Sequence, residues 1–227
     1  KGATLDLGDA GDFEKTNDKN ERLFPEFAGL KDAMSEETVL FFEDLFRNNG
    51  RLLDILEADH TYLNELLAKH YGMAWPPPQS PLDGRLPIGG TGWQRVAGVR
   101  QQGRGGILGM ATTLASQSGA SRTSPILRGN WVYETVLGEK LPKPPPGVPQ
   151  LPEEVPSGLT DRQLIEQHSS VAACARCHVK IDPYGFALEQ FDPIGRIRSQ
   201  PVDTQTTLVG GQKIEGLAGL RTYLAND

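Results

Sequence analysis

Two cysteines occur in the 227 residues, and both stand in one short stretch, Ala173-Cys174-Ala175-Arg176-Cys177-His178. Two residues between the cysteines and a histidine directly after the second form the attachment pattern of a c-type haem. Each thiol can add to one haem vinyl group, giving two thioether bonds, and the histidine supplies the proximal imidazole. This spacing lets both sulfurs reach the vinyls and leaves His178 on one face of the porphyrin. Other chemistries also use a Cys-x-x-Cys pair. A zinc site needs two more ligands, yet there is no third cysteine, and His60, His70 and His168 form no closely spaced histidine pair. A thioredoxin-like redox pair belongs in a βαβ setting that the local pattern lacks. A disulfide over so short a loop is unusual. Covalent haem is favoured over all three.

A chain of this length suits one large domain or two small ones. Apolar residues make up 37%, below the usual range, and 26 glycines and 17 prolines predict much loop. A haem would add apolar surface that such a chain lacks. The net charge of −6 argues against a nucleic-acid partner, since phosphate binding wants a basic face. No apolar run approaches the ~18 residues of a transmembrane helix. Lys1 is not an initiator Met and no signal peptide opens the chain. Covalent haem attachment takes place outside the bacterial cytoplasm. The expectation is therefore an exported, extracytoplasmic product, periplasmic, cell-surface or secreted, whose targeting segment is missing here.

Three regions are expected: a helical region over 1–75, a loop-rich middle over 76–159, and a haem-binding region over 160–227. Residues 1–24 read as loop. Ser35 reads as an N-cap, followed by Val39, Phe42, Leu45 and Phe46 at helical spacing, with Asn48-Asn49-Gly50 as the stop. A second short helix holds Leu52, Leu53, Ile55 and Leu56. Thr61 caps a third that ends at Tyr71-Gly72, so this block reads as a helical bundle. Trp75 to Gly92 is a loop. Arg95 to Val99 gives a weak strand signal, and the small apolar run from Gly105 to Ala111 could open a buried helix. Thr123 or Ser124 caps a helix with Pro125 in its first turn and Gly138 at its end. Lys140 to Pro156 reads as an extended, semi-rigid strap. Thr160 caps a helix that runs to about Ala172 and delivers the chain to Cys174. Two turns, Asp182-Pro183 and Asp192-Pro193, flank a short apolar helix from Phe186 to Gln190. A small hairpin turns around Gly210-Gly211, and a last helix runs from Gly216 to Leu224.

Three stretches resemble a known family. The run from Cys174-Ala175-Arg176-Cys177-His178 through Ile181-Asp182-Pro183-Tyr184-Gly185-Phe186 to Phe191-Asp192-Pro193-Ile194-Gly195 is similar to the signature of the large planctomycete-type cytochrome c proteins. Arg122-Thr123-Ser124-Pro125-Ile126-Leu127-Arg128-Gly129-Asn130-Trp131-Val132 resembles a second signature, and Tyr62 to Gly72 resembles a third. The resemblance covers roughly residues 25–224. It implies a c-type haem protein, a fragment or processed form of a larger exported, multidomain one. It settles the cofactor better than the function.

The group on the far side of the iron decides the chemistry. Met or His there suits electron transfer, and an open position permits peroxide or small-ligand chemistry. All three methionines (Met34, Met73, Met110) precede the motif and no histidine follows His178. Any such ligand must therefore come from the N-terminal side. Met110, in a small, glycine-rich apolar stretch, ranks first. His70 and His168 follow, and His60 and Met73 rank lower. His168 is six residues before Cys174, on the helix expected to run along the haem edge, where the opposite face is awkward to reach. Arg128, with Arg122, Arg196 and Arg198, is a candidate partner of the haem propionates, because guanidinium pairs well with carboxylate. Trp131 and Phe186 are candidates to pack on the macrocycle.

The fold expected is mainly α, irregular and loop-rich, with one covalent haem c and a small C-terminal hairpin. The leading function is one-electron transfer with a redox partner protein, as part of a larger assembly or with further copies. A haem c peroxidase with an open iron is the first alternative. A structural or interaction module of a surface assembly is the second. No hydrolase triad, phosphate-binding glycine loop or paired-carboxylate motif is evident.

Overall fold

Helix α1 (Leu30–Arg47) sets the phase of the N-terminal half. A computed structural model describes residues 27–75, 92–119, 122–142, 151–152 and 155–226. The expected loop over 1–24, the loop between Trp75 and Gly92 and most of the Pro-rich strap lie outside these. Gly29, with φ 69°, turns the chain into α1, and Ser35 sits inside the helix rather than at its cap. The earlier start shifts the buried stripe to Leu30, Ala33, Met34, Glu37, Leu40, Phe41, Asp44 and Leu45. Val39 and Phe46, expected inside, are 57% and 77% exposed. Asn48 and Asn49 (φ 53°) end the helix as expected.

The rest of this half is not purely helical. After α2 (Asp54–Glu57), Thr61 lies in strand β1 (His60–Leu63) instead of capping a helix. Asn64 caps α3 (Glu65–Tyr71) by accepting from the Leu67 N–H, and Gly72 closes it at φ 70°. Strand β2 (Gln94–Ala97) pairs antiparallel with β1, His60 opposite Ala97 and Leu63 opposite Gln94. Cross-strand pairing and burial of Thr61, Tyr62 and Leu63 outweigh the local cap signal.

Two short 3₁₀ turns, Val99–Gln102 and Ile107–Gly109, lead into α4 (Ala111–Ser116). Helix α5 (Pro125–Trp131) is capped by Ser124 with Pro125 in its first turn, and continues as a π turn over Val132–Val136. Helix α6 (Asp161–Ser169) has a full capping box, Thr160 with Gln163. Helix α7 (Ala172–Phe186) follows after Ser170 and Val171. Strands β3 (Gln205–Thr207) and β4 (Lys213–Glu215) form the C-terminal hairpin, and α8 (Gly216–Asn226) closes the described chain. The fold is mainly α, with two small two-stranded antiparallel sheets among the described residues.

The Asp182-Pro183 pair does not make a turn: it lies within α7, whereas Asp192-Pro193 does turn the chain, with the Asp192 carbonyl accepting from Gly195 N–H at 3.1 Å. What holds α7 straight enough is its crossing with α5. A Cβ on Gly129 would stand 2.0 Å from the Ile181 carbonyl oxygen, and one on Gly185 would stand 1.8 Å from that of Pro125. The two backbones therefore touch, and only glycine fits at either position. Below the crossing, Leu114, Val132, Tyr184, Leu188 and Phe191 share one core with Leu208, Leu217 and Leu220. Trp131 packs against this core and Phe186 is buried.

Candidate haem-attachment site

Cys174, Cys177 and His178 fall in the first two turns of α7. At positions i, i+3 and i+4 they share one face of the helix. Both thiols are free and half-buried. The imidazole is oriented by a residue one turn on. Asp182, 6% exposed, has its two carboxylate oxygens 2.9 and 3.0 Å from His178 Nδ1. With Nδ1–H donating to the carboxylate, the ring is oriented and Nε2 is left without a hydrogen-bond partner among the described residues. A carboxylate behind a metal-binding imidazole is the usual way to orient it and raise its basicity. Asp182 was legible in sequence only as a turn-former, although its i+4 spacing from His178 was the available signal.

The helix before the motif does not run straight into it. α6 stops at Ser169, Val171 adopts an extended conformation, and the chain reverses. The two helices are antiparallel: the Arg162 guanidinium, early in α6, lies 4.6 Å over the Phe186 ring at the end of α7. The other end of this hairpin brings His168 to His178, with ring centres 5.0 Å apart and planes at 74°.

The remaining candidates for the iron are engaged elsewhere. Met110 is 2% exposed and packs with Leu40, Phe41, Ala58 and Tyr62, and its sulfur accepts from the Thr38 hydroxyl at 3.8 Å. The structure thus places this sulfur in the N-terminal core, and reaching an iron would require leaving that packing. His70 Nε2 lies 2.8 Å from the Ile194 carbonyl. Burial holds its pKa below the usual value, against that hydrogen bond and with help from Arg104 and Arg196. His60 pairs with Asp44 at 2.9 Å, and Met73 is buried in the core around Leu67.

The arginines are likewise committed. Arg128 is 1% exposed inside a basket of acceptors, the carbonyls of Leu188, Phe191 and Asp192 at 2.7 to 3.0 Å and the Glu189 carboxylate at 3.3 Å. Burial pushes its guanidinium down to about 10, opposed by Glu189. It is a bolt between α5 and the chain after α7, with both terminal nitrogens engaged there and Nε buried without a hydrogen-bond partner. Arg122 pairs with Asp161, Arg196 with Asp192, and Arg198 with Glu189 and Thr123. Among the described residues, no three His, Cys, Asp or Glu side chains are grouped to hold a metal ion. The thiols and imidazoles therefore do not converge as a zinc site would require.

Two family models match the chain. Residues 104–201, which contain the whole motif, match the one described as PSCyt3, a protein of unknown function (DUF1588). Residues 6–73 match PSD4, a protein of unknown function (DUF1592). These are names of planctomycete cytochrome-type domains, so over both stretches the chain is similar to that class. No curated protein and no solved structure matches the chain.

Proposed function

We propose that this chain is a c-type cytochrome unit with one haem bound through Cys174 and Cys177 and ligated by His178. The observation that carries the reading is the shared helix face of those three residues, with His178 Nδ1 held by Asp182 and Nε2 left for the iron. The residues fit the group: two free, half-buried thiols one turn apart, beside an imidazole that is pre-oriented. When bound, the haem supplies a site that stores and passes one electron at a time. The chain's own part is to anchor the porphyrin edge, fix the imidazole and set its basicity through a carboxylate. We place the protein outside the cytoplasm, where such attachment occurs, and its partner is another redox protein. Among the described residues no helix is long and apolar enough to cross a membrane.

The test is to produce the chain in a bacterial periplasm that matures c-type haem and record the alkaline pyridine spectrum. The expected result is a c-type haemochrome at one haem per chain, lost in the Cys174→Ser/Cys177→Ser double variant. A colourless protein from a strain that matures a control cytochrome would overturn the reading.

A further inference from the structure

We infer that His168 is the second axial ligand of the iron that His178 binds. The inference rests on the haem reading above and adds what completes the site. The α6–α7 hairpin carries one imidazole on each arm, 5.0 Å apart between ring centres. Two imidazoles on opposite sides of one metal need roughly 6 Å, from about 2 Å of metal–nitrogen bond on each side plus the ring radii. The ring centres would have to part by about 1 Å, and the two arms would have to open further to admit the macrocycle between the imidazoles. The opening falls beside the corner of the hairpin: His168 is in the last turn of α6, and Ser170 and Val171 are all that separate the arms. The motif cysteines lie just past that corner, in the first turns of α7.

The pairing is also free of competitors. His168 has no hydrogen bond among the described residues, and neither does His178 Nε2. The other four candidates each hold a contact of their own: Met110 with Thr38, His70 with Ile194, His60 with Asp44, and Met73 within a core. Ligation needs no redox step. A neutral imidazole nitrogen donates its lone pair to the open position, and no proton or electron is exchanged with a third party. The consequence is a six-coordinate, low-spin iron. That excludes peroxide binding without prior displacement of His168, and it favours electron transfer over peroxidase chemistry.

The test uses the full haem-loaded chain, after the pyridine assay has shown that haem c is present. Ferric electron paramagnetic resonance and visible to near-infrared spectra are taken for wild type, His168→Ala, His168→Met and Met110→Leu. The wild type is expected to be low-spin without a methionine–iron charge-transfer band. His168→Ala should turn most of the iron high-spin, bind cyanide at least tenfold more tightly, and return to low-spin on adding imidazole. His168→Met, which keeps a ligand and so protects against loss of folding, should acquire the methionine band. Met110→Leu should leave the spectra unchanged. A high-spin wild type, a methionine band in the wild type, or low-spin iron that survives in His168→Ala would overturn the inference. A negative pyridine assay would instead remove the haem reading itself, and the inference with it.

Discussion

At the scale of single residues, the site's character is set by Asp182. Its carboxylate holds His178 Nδ1, and if His178 ligates a haem iron, as proposed, a carboxylate behind the imidazole would make it a more electron-rich ligand that favours the ferric state. Asp182→Asn keeps a hydrogen-bond acceptor and removes the charge. The reduction potential should rise, by roughly tens of millivolts, while the haem stays covalently bound. Protein-film voltammetry checks this, and an unchanged potential would remove Asp182 from the site. The same residue shows why the sequence was only partly legible. Asp before Pro is a strong turn signal, and nothing local reveals that a helix crossing will hold it in α7. The three haem-attachment candidates, by contrast, stand out in sequence because covalent haem attachment would require their spacing. The approach of His168 to His178 is not legible in sequence, because the break at Ser170–Val171, which folds α6 back, leaves no clear mark there.

At the scale of elements, the decisive feature is the α5–α7 crossing. Gly129 meets the Ile181 carbonyl and Gly185 that of Pro125, at distances no Cβ tolerates. Because α7 carries Cys174, Cys177 and His178, this contact aims the whole motif. Gly185→Ala should destabilise the chain by about 3 kcal/mol, since backbone, not a flexible side chain, must move. Urea unfolding measures it, and a cost near zero would show that the helices are not in contact. Caps were readable at this scale. Ser124 with Pro125 and Thr160 with Gln163 announce α5 and α6 through residues only three apart. The phase of α1 was not. Its start depends on Gly29, and two acids, Glu37 and Asp44, occupy the buried face where a hydrophobic pattern assigns charge to solvent.

Across the whole molecule, one buried network joins the halves. The Glu37 carboxylate accepts from Thr61 and Tyr71 hydroxyls, each at 2.5 Å, and the Tyr71 oxygen accepts from the Ala111 N–H at 2.9 Å. The Arg104 guanidinium lies 3.6 Å over the Tyr71 ring and donates to the Gly109 and Gly195 carbonyls, so α1, β1, α3, α4 and the Asp192 turn are tied together. Burial raises the Glu37 pKa from 4.5 to about 7, against both hydrogen bonds and Arg104. The native state thus keeps a proton that the unfolded chain releases earlier. Stability should fall as pH rises from about 4.5 to about 7 and then level off. The contribution is about 3 kcal/mol across that window. Glu37→Gln should flatten this slope relative to wild type in urea unfolding run across the same range. Parallel curves for the two proteins would contradict the assignment. Glu189, also raised by burial, titrates alike in both, so the difference isolates Glu37.

The most direct test of the account is the mass of the chain matured in a haem c-competent periplasm, taken under denaturing conditions. The expected mass is that of the chain plus one haem, with the added mass on the peptide that contains Cys174-Ala175-Arg176-Cys177-His178. A denatured mass equal to that of the chain without haem, with a control cytochrome loaded in the same cells, would contradict it.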